Sequence, residues 1–290
     1  MPTWFIYSIF SALFSAVAAL LQKIILKKID AVSFSLIITI INVIFISFYL
    51  LLKGFPSFSN SEVLILSIKT VLGAFAFLFV MLSIQNFELS SVLPILAFTP
   101  ALVALSAFIF LDEVISPLKI IGMFIMLIGI YIVENKDRNL LQPIKYLFTK
   151  SKSKYIVYAL LLFTISSVLD KLLIGSYKIN PTDFIVLQQL LALPVFAIIF
   201  IFYSKKENRT LIISKDLIMI LVVISILTLL YRYFYIKSLQ FGAVALSLTV
   251  KRFSVVIAIA LSGKLLREKD ITRKTVAALL IISGSYLLIQ

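Results

Sequence analysis

Two adjacent cations, Lys251 and Arg252, interrupt an apolar run that extends from 242 to 263. They stand about nine residues from either end of that run. If the run is a helix rising ~1.5 Å per residue, they lie ~14 Å from the nearest end, too deep for easy escape to water. A guanidinium can grip a carboxylate or phosphate through two parallel hydrogen bonds, and a lysine adds a movable point charge. Helical spacing gathers Ser247, Lys251, Ser254 and Ala258 on one small, polar face. In the preceding run, Thr228, Arg232 and Tyr235 form a second such face, with Tyr231 beside Tyr235. A tyrosine there supplies either a hydroxyl donor and an aromatic wall, or only packing at an interface. The two faces are expected either to bind an anion in a cavity or to pair structurally between helices.

Seven basic residues sit inside apolar runs: Lys23, Lys69, Lys171, Arg232, Lys237, Lys251 and Arg252. Asp170 is the one acidic residue clearly within a run, and Glu88 falls at a hairpin tip. Ionised groups in hydrocarbon cost a few kcal/mol or more, so they face a cavity, a partner or the membrane surface. Lys23, Lys69, Lys171 and Lys237 lie close enough to run ends to snorkel to the headgroups. Asp170 is expected either to pair with Arg252 or Lys251 from another helix or to carry a proton. Gln188, Gln189 and Asn42 either line the pathway or hydrogen-bond helices together.

The chain contains no His and no Cys, which removes disulfides, thiolate metal sites and the usual general base. With no clustered carboxylates either, enzymatic chemistry has little to build on, and no metal or cofactor is expected. The chain is 62% hydrophobic and 14% charged, against about 25% charged in a soluble domain, so lipid must be its solvent. The net charge of +14 then belongs to loops on the cytoplasmic side rather than to a nucleic-acid surface.

A membrane-spanning helix needs roughly 20 apolar residues. Ten such runs are read, at approximately 4–26, 31–52, 62–85, 89–111, 116–133, 155–176, 182–203, 216–239, 242–263 and 271–289. They are continuous rather than alternating, which argues against a β-barrel. The first lacks a basic leading segment and is too long for a cleavable signal peptide. Seventeen basic residues fall in one set of alternate loops and three (Lys53, Lys119 and Lys178) in the other. The seventeen mark the cytoplasmic side, so both termini are predicted to face outward from the plasma (inner) membrane.

An offset of 155 residues aligns the third-to-fifth runs with the eighth-to-tenth. Ser83 meets Ser238, Gln85 meets Gln240, Glu113 meets Glu268, Gly129 meets Gly284 and Tyr131 meets Tyr286. An offset of 148 sets Gln22-Lys23 on Asp170-Lys171, and one of 150 sets Phe34 on Phe184. The expected fold class is therefore an all-α membrane protein, with ten transmembrane helices in two inverted five-helix repeats. The first repeat spans 1–135 and the second 155–290. Five is odd, so the halves insert in opposite senses, an arrangement that places a substrate site at their interface near the midplane. The basic linker, 136–154, is either a surface amphipathic helix or disordered.

Leu111-Asp112-Glu113-Val114-Ile115-Ser116, followed by Gly122 and Gly129, is repeated as Leu266-Arg267-Glu268-Lys269 before Gly284. With ten spans and a duplication, this resembles the EamA-type branch of the drug/metabolite transporter superfamily. The resemblance implies export or exchange of small metabolites by alternating access without ATP, and no Walker loop is present. Thr249-Val250-Lys251-Arg252-Phe253-Ser254 also resembles the phosphate-binding Lys-Arg doublet of the plastid triose-phosphate translocators in the same superfamily. The expected partners are a small-molecule substrate and the bilayer, with a proton or counter-substrate coupled, in a monomer or homodimer. The alternative is a lipid-handling flippase or scaffold using the same cationic cavity.

Overall fold

Asp30 and Ser59, polar residues just ahead of the second and third apolar runs, are N-caps. Asp30 accepts from the amides of Val32 and Ser33 at 3.1 and 2.9 Å. Ser59 and Glu62 form a reciprocal capping box. Each satisfies backbone donors that would otherwise enter the membrane unpaired. The computed structural model describes residues 3–111, 116–134, 154–207, 215–241 and 244–287.

The helices are α1 (Thr3–Ile25), α2 (Ala31–Lys53), α3 (Asn60–Asn86), α4 (Leu89–Leu96), α5 (Thr99–Leu111) and α6 (Pro117–Glu134). They continue as α7 (Lys154–Lys171, extended by a π turn at Leu172–Ser176), α8 (Pro181–Glu207), α9 (Lys215–Phe241), α10 (Val244–Leu266) and α11 (Ile271–Leu287). Among the described residues six helical segments are long and apolar enough to cross a membrane: α1, α2, α3, α7 with its π turn, α8 and α9.

The fourth apolar run, read as one helix, is two. It breaks at Ala97 and Phe98 between α4 and α5. Pro94 and Pro100 flank the break, and a proline ring excludes the helical hydrogen bond to its own nitrogen. The basic linker lies outside the described residues, as does the first copy of the Asp-Glu motif at 112–115.

The closest packings join the first part of the chain to the second. α1 lies along α9 and α10, α3 along α7, α2 along α8, and α6 along α11. The α6–α11 seam is backbone on backbone. A Cβ added to Gly122 would meet the Gly284 carbonyl oxygen at 2.6 Å, and one added to Gly284 would meet the Gly122 oxygen at 2.5 Å. Small residues let membrane helices approach this closely, and van der Waals contact then supplies the attraction that lipid cannot.

The two ends of the bundle differ. One end, called here the basic end, gathers the 26–30, 87–88 and 267–270 turns, as the bonds of Gln85 to Leu26 and Ala31 and of Glu268 to Leu89 record. At the opposite end an apolar cluster closes the bundle, with Ile46, Leu66, Leu173, Ile179, Phe184 and Leu239 at its centre.

Candidate functional site

A cavity of about 250 Å³ opens between these helices, lined by residues of α1 to α5 and α7 to α10. Lys251, Arg252 and Ser254 of α10 line it, with Tyr231, Arg232 and Tyr235 of α9. Asp170 of α7 and Gln188 of α8 complete the set that the sequence singled out and the fold brings together. Ser247 is the exception. It is fully buried on α10 and lies off the cavity lining, and its hydroxyl has no hydrogen-bond partner among the described residues. It sits four residues before Lys251, one turn nearer the start of α10.

The cations are held by neutral groups. The Lys251 ammonium lies 4.0 Å from the Tyr235 ring centroid and 5.4 Å from that of Tyr231. An aromatic face attracts a cation without neutralising it. The Arg232 Nη2 donates to the Gln188 side-chain oxygen at 2.5 Å. The Nε atoms of Arg232 and Arg252 are buried with no hydrogen-bond partner among the described residues. A buried donor left in that state costs free energy that an acceptor in the cavity would recover.

Asp170 does not pair with Lys251 or Arg252. Its carboxylate lies 2.9 Å from the Lys69 Nζ, and the Lys69 and Asp170 side chains are 1% and 9% exposed. Packing of α3 along α7 brings the two together. Lys69 therefore does not snorkel: it points inward, over the Phe184 ring at 4.8 Å. Nor does Lys23 turn to the headgroups. It donates to the carbonyls of Ile84 and Phe87 at the end of α3, at 2.5 and 2.6 Å. Those terminal carbonyls lack helical partners, so a cation there satisfies them. Lys237 lies 5.5 Å from the Phe241 ring centroid. The Lys171 side chain lies outside what the structure describes.

Asn42 ties three helices together. It donates to Gln189 of α8 at 3.4 Å and accepts a short hydrogen bond from Ser225 of α9. Gln189 and Asn42 also line the cavity, so they both bind helices and shape the pathway.

Sequence reasoning missed a polar joint at the basic end. Glu268 accepts from the amides of Leu89 and Ser90 at 2.9 and 3.0 Å, and from the Ser262 hydroxyl at 3.1 Å. It thereby caps α4 from the α10–α11 turn. Lys274 pairs with Glu88 and donates to the Ser90 hydroxyl at 2.8 Å. Burial pushes the Glu268 carboxyl up, but the hydrogen bonds from Ser90, Leu89 and Ser262 outweigh it and hold the group below the usual carboxylate range. The signal was present in the motif's second copy, Leu266-Arg267-Glu268-Lys269, which sets a glutamate in a short turn between apolar runs. Among the described residues no group of His, Cys, Asp and Glu could hold a metal ion.

The chain thus folds into a helical bundle, six of its described helical segments long and apolar enough to cross a membrane, around a polar, charge-lined cavity. The EamA-like transporter family model matches residues 2–134 and again 153–290, so the chain belongs to the EamA-like transporter family. Its members move small molecules across membranes and are transporters rather than enzymes. Twenty-eight chains of solved structures match the fold. One, described simply as the crystal structure of a protein, superposes with a TM-score of 0.69 at 12% identity, over 98% of this chain and 95% of that one. No curated protein matches at a significant level.

Proposed function

We propose that this transporter is a secondary carrier of small organic anions, exporting or exchanging them by alternating access around the central cavity. One observation carries the reading. Arg232, Lys251 and Arg252 line the cavity, while Asp170, its one acidic lining residue among those described, is already engaged by Lys69. A low-dielectric cavity with surplus positive charge stabilises a bound anion more than a neutral solute.

Two inverted five-helix repeats, 1–135 and 155–290 joined by 136–154, would supply the moving parts. The helix packings support this. Under the duplication, α1 corresponds to α7 and α3 to α9, so α1 on α9 and α3 on α7 are one contact made twice. The cavity lining supports it too. Offsets of 148, 150 and 155 residues relate Gln22 to Asp170, Ile38 to Gln188 and Phe77 to Arg232, and all six line the cavity.

The test is uptake of a radiolabelled organic anion into proteoliposomes. Lys251→Ala and Arg252→Ala should each abolish it while the purified variants stay monodisperse with unchanged melting. Full transport by both variants would remove these residues from the site and the anion from the proposal.

A further inference from the structure

The cavity is chemically two-ended. On α3 its lining begins with Lys69 and Thr70 and continues through Gly73 and Phe77 to Val80 and Ile84. At ~1.5 Å per residue the cavity thus follows α3 for about 22 Å, changing from charged to apolar on the way. The helices facing α3 change in the same direction. On α7, Asp170 and Ser167 give way to Phe163, and on α8, Gln188 and Gln189 give way to Ala192 and Phe196.

The charged part lies toward the end closed by the Ile46–Leu66–Phe184 cluster. The apolar part lies toward the basic end, where α4 contributes Leu93 and Leu96. There Phe77 and Phe196 stand edge to face at 6.1 Å. Gln22 is a polar residue in that part, but no charged residue lines it among those described.

The duplication accounts for the division. The position equivalent to Arg232 is Phe77, to Tyr235 is Val80, and to Lys251 is Leu96. All six line the cavity. At these three positions the second repeat brings Arg232, Tyr235 and Lys251 to the wall, and the first brings the apolar Phe77, Val80 and Leu96.

We infer that the substrate is an amphipathic organic anion: a carboxylate held by Arg232, Lys251 and Arg252, joined to an apolar, ring-bearing body that lies against Phe77, Phe196 and Leu96. This rests on the anion-carrier reading and narrows it. A sugar phosphate, polar along its whole length, would leave its hydroxyls without partners in the apolar part, and unpaired polar groups are rejected strongly. A neutral aromatic solute would gain the body contacts and leave the cations unanswered.

Thermal unfolding of the purified full-length protein in detergent tests this with four probes: indole-3-acetate, indole-3-acetamide, glucose 6-phosphate and hexadecanoate. Indole-3-acetate should raise the melting temperature by about 3 °C or more at a hundredfold excess over its dissociation constant. The other three should not, and the rise should vanish in Arg252→Gln. Stabilisation by glucose 6-phosphate instead would overturn the inference and leave the anion carrier standing. Stabilisation by hexadecanoate alone would replace the ring-bearing solute with a lipid. An equal rise with the acetamide, or no rise with any probe, would remove both the inference and the anion carrier.

Discussion

Lys69 on α3 and Asp170 on α7 form an ion pair that joins the first part of the chain to the second inside the cavity wall. With 1% and 9% exposure, neither side chain can turn to water. Removing one partner of such a pair costs about 3–5 kcal/mol, whereas replacing both with apolar residues is often neutral. Lys69→Met and Asp170→Asn should therefore each melt well below the wild type, and Lys69→Met combined with Asp170→Leu should recover most of the loss. Asp170→Asn should be the worse single change, because it leaves Lys69, Arg232, Lys251 and Arg252 together without a lining carboxylate. Chemical denaturation of the four proteins in one detergent checks this; a double variant no more stable than the single ones would contradict it.

The Tyr235 ring, not its hydroxyl, faces the Lys251 ammonium. Tyr235→Phe keeps that face and should transport as the wild type does. Tyr235→Leu removes it and should weaken anion binding roughly two- to thirtyfold, the range of a cation–π contact of ~0.5–2 kcal/mol. Half-saturation concentrations in proteoliposome uptake separate the two variants.

Glu268 gives the basic end a pH dependence of known sign. Its carboxyl is held below the ordinary carboxylate range, so its ionised form stabilises the fold at any pH above the unfolded value near ~4.3. That contribution is lost as pH falls through the lower folded value. The melting temperature of the wild type should drop on acidification below about pH 4.3, and Glu268→Gln should start lower and lose less over the same range. Parallel melting curves for the two proteins would place the acid response elsewhere.

The absence of native cysteines allows a direct test of orientation. Ser57→Cys should react with a membrane-impermeant maleimide added to intact cells, and Asn208→Cys should react only after the membrane is opened. This follows from the concentration of Lys and Arg in the loops on the side of residue 208. The reverse labelling pattern would invert the predicted topology.

The helix boundaries were largely legible in the sequence because a bilayer demands long apolar runs and because Asp30, a cap residue, stands just ahead of the second. The break at Ala97–Phe98 was missed because hydropathy runs straight through it, although Pro94 and Pro100 flank it. Lys69 was not. Its distance from a helix end fits snorkelling as well as burial, and its partner lies about a hundred residues away on a helix whose packing the sequence does not specify. For the same reason Asp170 was matched to the cations of α10, which share the cavity without touching it as Lys69 does. Ser247 shows the limit of periodicity: it lies on the helical face expected for it, and that face extends past the cavity into packing.

The Gly122–Gly284 contact bears on how such a carrier can move. Where backbone meets backbone there are no rotamers to adjust, and Met126 and Ile281 stand as bumps along the line. Sliding α6 past α11 would drive main chain into these side chains, while tilting about their point of contact would not. Under the proposed alternating access this seam would be the pivot, since neither of its helices contributes to the cavity lining.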